Sequence, residues 1–164
     1  MLIASAMALS RALPDSIVVI QRELLAYTRQ LEQLGLRVVI NEQAECGMGG
    51  SIACGVGASQ DATGWLIALA DMPYLKTDTI TLLADRLQNG ATIIAPQYGR
   101  QRGHPVGFSR PYRQELLALR DDIGARNILQ RHQQQLELVP TDDAGVITDV
   151  DRPSDVSHVE RMIP

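Results

Sequence analysis

Cysteine, lysine and long apolar runs are scarce in this chain of 164 residues. Two cysteines, Cys46 and Cys54, cannot build a disulfide framework, and their spacing matches no zinc knuckle, so both read as small packed thiols. Lys76 is the single lysine, and the other fourteen basic residues are arginines, set against a formal net charge of -4. That balance gives no electrostatic footprint for nucleic acid; the arginines suit bidentate phosphate contacts where they are not simply solvated surface. No apolar window is long and uninterrupted enough to span a bilayer, and the first residues lack a basic region, a long apolar run and a cleavage pattern. The expectation is a cytoplasmic protein with neither membrane nor nucleic acid among its partners. Repeats and low-complexity segments are also absent.

What is present, 45% hydrophobic and 21% charged residues, is enough for one well-filled domain spanning 1–164. Leu2, Ala6, Leu9 and Leu13 fall near helical spacing, and Pro14-Asp15 stops that helix before the β-branched strand Ile17–Ile20. Arg22 to Leu34 is predicted as a helix closed by Gly35, leading into strand Leu36 to Ile40. A glycine-rich turn and short helix, Gly47 to Val56, precedes a strand at Trp65 to Ala70. Helix Thr77 to Leu87 stops at Asn89-Gly90 before strand Ala91 to Ala95. Pro96 to Gly103 reads as a loop or hairpin, and His104 to Phe108 as an extended piece. The remainder predicts helices at Pro111 to Leu119 and Ala125 to Arg131 and a strand at Leu136 to Val139. A turn at Thr141 to Gly145, a strand at Val146 to Val150 and a helix from about Ser154 complete it. Such alternation implies an α/β fold, a mostly parallel sheet covered on both faces.

Five local signals point to phosphate and metal chemistry. The segment Leu66 to Pro73 ends an apolar run in one carboxylate, Asp71, followed at once by chain-redirecting Met72-Pro73. Ligands of open α/β sheets sit outside the carboxyl ends of the strands, where Asp71 either meets a metal-bound phosphate or only caps the next helix. The run Gly47-Met48-Gly49-Gly50-Ser51 lets bare backbone approach an anion at a helix start, unless it merely makes the turn. Tyr98 to Phe108, which contains Arg102-Gly103-His104-Pro105-Val106, packs two arginines, Arg100 and Arg102, and His104 among glycines and a proline, for a polar ligand or as a surface hairpin with solvated arginines. Asp122-Ile123-Gly124-Ala125-Arg126 opens a helix, and capping alone accounts for Asp122. In Asp149-Val150-Asp151-Arg152-Pro153-Ser154-Asp155, alternate carboxylates on a strand end would face one side. Paired with Asp71 they suit Mg²⁺, which takes oxygen ligands and keeps waters and substrate phosphates in its shell.

Taken together, in this order, these five stretches resemble the molybdenum cofactor nucleotidyltransferases, most closely the cytidylyltransferase branch (MocA-like, within the MobA-like family). The resemblance implies a three-layer, Rossmann-like nucleotidyltransferase fold of the GT-A-like type. It implies coupling of CTP to molybdopterin carrying molybdenum, with release of pyrophosphate, to give the cytosine dinucleotide cofactor passed to a recipient molybdoenzyme. Asp71 would be the metal and catalytic carboxylate and Asp151 the second, with Mg²⁺ as cofactor. Gly47, Met48, Gly49 and Ser51 would border the nucleotide. Arg102, Gly103, His104 and Pro105, with Asp122, Gly124 and Arg126, would face the pterin. Arg152 stands where the family commonly has Thr.

One departure lies at the front. Family members open with an apolar strand and a loop rich in Gly, Ser and Arg, then a lysine, that cradles the triphosphate; none of it is here, and Met1 to Leu13 resembles the helix that follows. That strand lies at the centre of the family's sheet, so the expectation is an N-terminally truncated domain with two unpaired neighbours. Three other readings stay open: a guanylyltransferase of the same fold, a sugar or alditol nucleotidyltransferase, and a non-catalytic molybdenum cofactor binding protein.

Overall fold

A computed structural model describes residues 1–42, 47–120 and 122–150. Helix α1 (Leu2–Ala12) feeds strand β1 (Ile17–Ile20); a 3-10 segment, Arg22–Tyr27, and helix α2 (Thr28–Gln33) lead to β2 (Arg37–Ile40). Helix α3 (Gly47–Gly57) precedes β3 (Gly64–Ile67), and α4 (Thr77–Gln88) precedes β4 (Ile93–Tyr98), β5 (Gln101–Arg102) and β6 (Val106–Ser109). Helices α5 (Arg113–Leu117) and α6 (Arg126–Arg131) then lead to β7 (Leu136–Thr141).

The strands form two groups. β1 and β2 pair in parallel. The larger sheet runs β3-β6-β4-β5, with β7 on β4. β6 is antiparallel to both β3 and β4, and β7 is parallel to β4, so β3, β4 and β7 share one direction and β6 opposes them. The expected α/β sheet with helices on both faces is present. On one face, Phe108, Ile93, Leu116 and Ile128 form a solvent-free core beneath α3, α5 and α6. On the other, Ile80 and Leu83 of α4 pack on Ile94, Val139 and Val146. A smaller cluster of Ala6, Ile20, Leu31 and Leu36 joins α1 and α2 to the β1–β2 pair.

Four local differences from the sequence reading have physical causes. The predicted helix Arg22 to Leu34 is broken, its first half being 3-10 turn with no buried residue to hold an α-helical face inward. Strand β4 runs through Pro96; its partner on that edge changes from β6 to β5 between Ile94 and Gln97, so the missing N–H is not needed. The ladder of β3 ends at Ile67, although the apolar run continues to Ala70. Val146 to Val150 is not a strand: Ala144–Ile147 is a 3-10 turn, because the buried Asp143 carboxylate accepts the Gly145 N–H at 2.9 Å and curls the chain. The helix expected from Ser154 lies outside the described residues.

Among the described residues β1 pairs with β2 alone and β3 with β6 alone. Between β1 and β3 lies a cavity of about 760 Å³, bounded also by α1 and α3. Leu66 and Ile67 are in consequence only half-buried, where the unbroken apolar run predicts burial on both faces.

Candidate active site

Asp71 sits just beyond the carboxyl end of β3, where the apolar run hands over to Met72-Pro73. One backbone contact holds it directly. Its carbonyl accepts the Val150 N–H at 2.9 Å, which brings the Asp149-Val150 segment alongside. Three donors anchor the loop behind it: the Lys76 N–H (2.9 Å) and the Thr79 hydroxyl (2.7 Å) donate to one oxygen of Asp143, and the Gly145 N–H to the other. Asp143 is 1% exposed, and it locks the start of α4 to the segment that touches Asp71. Sequence reasoning missed it; the signal available was an Asp-Asp-Ala-Gly turn after a strand. The carboxylate of Asp71, by contrast, has one oxygen that is buried with no partner among the described residues. A buried unpaired carboxylate oxygen is costly unless it meets a cation or a donor from a ligand.

His104 lies next to it. The Gly103 N–H donates to the Pro96 carbonyl and the His104 N–H to the Val146 carbonyl, both at 2.8 Å. A Cβ on Gly103 would overlap the carbonyl of Val146, so this close approach requires glycine. Burial, then the charge of Arg102, depress the His104 pKa below its ordinary value, while Asp71 opposes the shift. The imidazole is therefore neutral at physiological pH, and its Nδ1 is buried without a partner. Arg102 has its own pKa lowered, by burial first and then by Arg126. Two like charges held near each other at the surface make a site for an anion. Arg126, Arg102, His104 and Asp71 thus form one electrostatically coupled row.

The glycine-rich segment differs from its expected form. α3 begins at Gly47 itself, whose φ of +61° is in the left-handed region, and a Cβ there would collide with the Asp122 carboxylate. Asp122 thereby places its own negative charge beside the α3 N-terminus, a position favoured by the helix dipole. It does not cap α6, whose N-cap is Ala125 with no side-chain bond. Gly124 packs against the Met48 sulfur. Ser51 lies inside α3, donating to the Gly47 carbonyl at 3.5 Å and accepting from Asn41 at 3.2 Å. Gly49 is buried, and Met48 and Ser51 border the same cavity as Asp71. Pro105 is buried.

Four of the five motifs are thus contiguous, and the fifth reaches Asp71 through Val150. Asp149 is exposed, and the strand-end argument that set it with Asp151 on one side loses its strand; Asp151 itself lies outside the described residues. Cys54 is a free thiol that is half-buried, not packed in the core, with its pKa raised by that burial, and Cys46 is not among the described residues.

The sequence matches the model of the MobA-like NTP transferase domain over residues 1–136. The chain belongs to this family. Nucleotidyl transfer is the chemistry the membership supports, on the α/β nucleotidyltransferase fold described above. Among solved structures, Rv0371c of Mycobacterium tuberculosis H37Rv in complex with manganese superposes with a TM-score of 0.80 at 24% identity, covering 99% of this chain and 86% of that one. A nucleotidyl transferase of Methanothermobacter, Mth528, gives 0.80 at 20% identity, over 99% and 80%. Molybdopterin-guanine dinucleotide biosynthesis protein A of Archaeoglobus fulgidus gives 0.54 at 16% identity, over 89% and 77%. At these identities the likeness is one of fold. No curated protein is significantly similar in sequence. No described helix is long and apolar enough to cross a membrane.

Proposed function

We propose that this MobA-like transferase is a molybdenum cofactor cytidylyltransferase, coupling CTP to molybdopterin carrying molybdenum and releasing pyrophosphate. The observation that carries the reading is the row Arg126, Arg102, His104 beside the unpartnered carboxylate oxygen of Asp71. It offers a cationic seat for an acceptor phosphate within one step of a carboxylate suited to a divalent cation. The resemblance of the five motifs to the cytidylyltransferase branch supplies the choice of CTP and pterin, and the name of the Archaeoglobus neighbour supports a molybdopterin acceptor.

The unpartnered carboxylate oxygen of Asp71 fits Mg²⁺, which is bound by one or two carboxylates plus substrate phosphates and waters. Asp71, with Asp151 as the second carboxylate, would hold it; the manganese in the mycobacterial neighbour supports a divalent ion in this fold. When bound, the ion neutralises charge on the phosphate oxygens. The chain's own residues do the rest. Arg102 and Arg126 bind and orient the acceptor phosphate. Neutral His104 donates a hydrogen bond without adding charge, and buried Asp143 fixes the Asp71 loop. An acceptor phosphate oxygen forms a bond to the α-phosphorus of CTP in line, the bond to the bridging oxygen breaks, and its electron pair leaves with pyrophosphate. No side-chain nucleophile is required.

The test is incubation with molybdenum-loaded molybdopterin, Mg²⁺ and either CTP or GTP, scoring dinucleotide and pyrophosphate. Cytosine dinucleotide is the expected product. Preferential guanine dinucleotide overturns the choice of nucleotide, and pterin binding without turnover of either nucleotide makes the protein a carrier of the cofactor. The recipient molybdoenzyme is the further partner this reading implies.

A further inference from the structure

Where the start of α3 meets the turn ahead of α6, two large apolar side chains stand half in solvent. Met48 is 45% exposed and Ile123 50%, while Gly49 and Gly124, the residues that follow them, are buried. α3 sends Gly49, Gly50 and Val56 inward, so its core face does not account for an apolar residue at Met48. The two segments touch: a Cβ on Gly124 would lie 2.8 Å from the Met48 sulfur and 3.6 Å from Ile52, one turn further along α3. An apolar pair left wet at the junction of two elements, beside charged groups of both signs, marks a ligand contact rather than a piece of the core.

The pair adjoins the cationic end of the row. The Arg126 N–H donates to the Ile123 carbonyl at 3.4 Å, which puts both in one turn, and the charge of Arg126 reaches Arg102. Met48 also borders the cavity that Asp71 lines, and the exposed Asp122 carboxylate lies against Gly47 at the same junction. Apolar side chains cover a ring face, a thioether contacts aromatic rings favourably, a carboxylate accepts from ring amino groups, and arginines hold a phosphate. These groups complement an amino-bearing planar heterocycle that carries a phosphate ester, whereas an aliphatic phosphate would leave Met48 and Ile123 wet. We propose that Met48 and Ile123 form the platform for the pterin ring of the acceptor, selecting a ring-bearing phosphate over a ring-free one. The family resemblance sets Met48 beside the nucleotide, and its contact with Gly124 moves it to the acceptor side. The inference rests on the acceptor proposed above and adds the residues that select it.

The test is equilibrium binding of hydroxymethylpterin phosphate, glycerol phosphate and CMP to the full chain and to its Ile123→Ser, Met48→Ser and Ile123→Leu variants, read by pterin fluorescence and calorimetry. The parent is expected to bind the pterin phosphate at least about tenfold more tightly than glycerol phosphate. Each serine variant should lose most of that preference, with glycerol phosphate affinity and thermal midpoint unchanged, and Ile123→Leu, which keeps the apolar area, should retain it. A parent without preference for the ring, or serine variants that weaken both phosphates alike, would overturn the platform. Sensitivity of CMP in place of the pterin phosphate returns Met48 and Ile123 to the nucleotide and overturns the acceptor assignment. The assay needs no turnover, so the two readings fail separately. Cytosine dinucleotide formation with pterin binding untouched by either serine variant removes the platform alone. Ring-dependent pterin binding without nucleotidyl transfer upholds the platform and removes the activity alone.

Discussion

The β3-β6-β4-β7 sheet and the β1–β2 pair use the same kind of sequence, short β-branched runs between helices, yet they end in different states. In the larger sheet every inner strand is paired on both sides, and Phe108, Ile93 and Ile94 are 0% exposed. In the smaller pair Ile17, Val18 and Val19 are only half-buried beside the cavity, although they are as apolar as the fully buried Ile93, Ile94 and Ala95 of β4. The catalytic candidates follow the same division. Arg102 is paired within the larger sheet, and Asp71 and His104 are held by backbone bonds to Val150 and Val146 in the segment that follows β7, while the α1 side contributes only the Ser5 hydroxyl to that region. Side chains become positioned where the backbone around them is fully paired.

The largest effect should come from packing. Phe108→Ala is expected to lose about 3–5 kcal/mol of stability, whereas Val19→Ala beside the open cavity loses about 1 kcal/mol. Denaturant unfolding of both variants checks the contrast, and equal losses would erase the distinction between the two halves. Next, Asp71→Asn should cut nucleotidyl transfer by about 10²- to 10³-fold at an unchanged thermal midpoint, because it removes charge and little volume. An unaltered rate and metal dependence in that variant would remove the metal assignment. Asp143→Ala, which strands three donors, should cost about 2–3 kcal/mol and lower turnover by loosening the Asp71 loop; a loss of stability with full turnover would separate Asp143 from the site.

Smaller effects sharpen the picture further. Arg102→Ala and His104→Ala should raise the KM for the pterin acceptor by about tenfold or more while changing that for CTP less, read from steady-state kinetics. A larger change for CTP would reverse the placement of the two substrates. The smallest effect concerns Glu115, which bridges α5 to α6. Burial alone would raise its pKa, but hydrogen bonds from Arg131 at 2.6 Å and His132 at 2.8 Å outweigh that and hold it below the ordinary value. A carboxylate depressed in the folded state adds stability above its unfolded pKa, and this is lost as pH falls through the folded value. Glu115→Gln should therefore lower the thermal midpoint near pH 7, with the gap to the parent closing below about pH 4.

Much of the site was readable from residue types alone. An apolar run ending in Asp71-Met72-Pro73, and an arginine and a histidine flanked by Gly103 and Pro105, carry their chemistry locally. What could not be read were features made by distant residues. Val146 to Val150 has the composition of a strand, but the Asp143 carboxylate and the fit of Gly145 under the Tyr74 carbonyl turn it aside. Asp122 looked like a cap for the helix that follows it and instead lies against the start of α3, far upstream in sequence.

The sequence by itself determined the alternation of helices and strands, the α/β class and the motifs that point to phosphate chemistry, because periodicity, β-branching and turn residues act over a few neighbours. Only the tertiary structure decided that Arg126, Arg102, His104 and Asp71 form one row. It also set which carboxylate keeps an unpaired oxygen, and that two strand edges face each other across an apolar cavity. Those outcomes depend on pairing and burial between segments tens of residues apart, where the free energy of a polar group is set by what the rest of the chain places beside it.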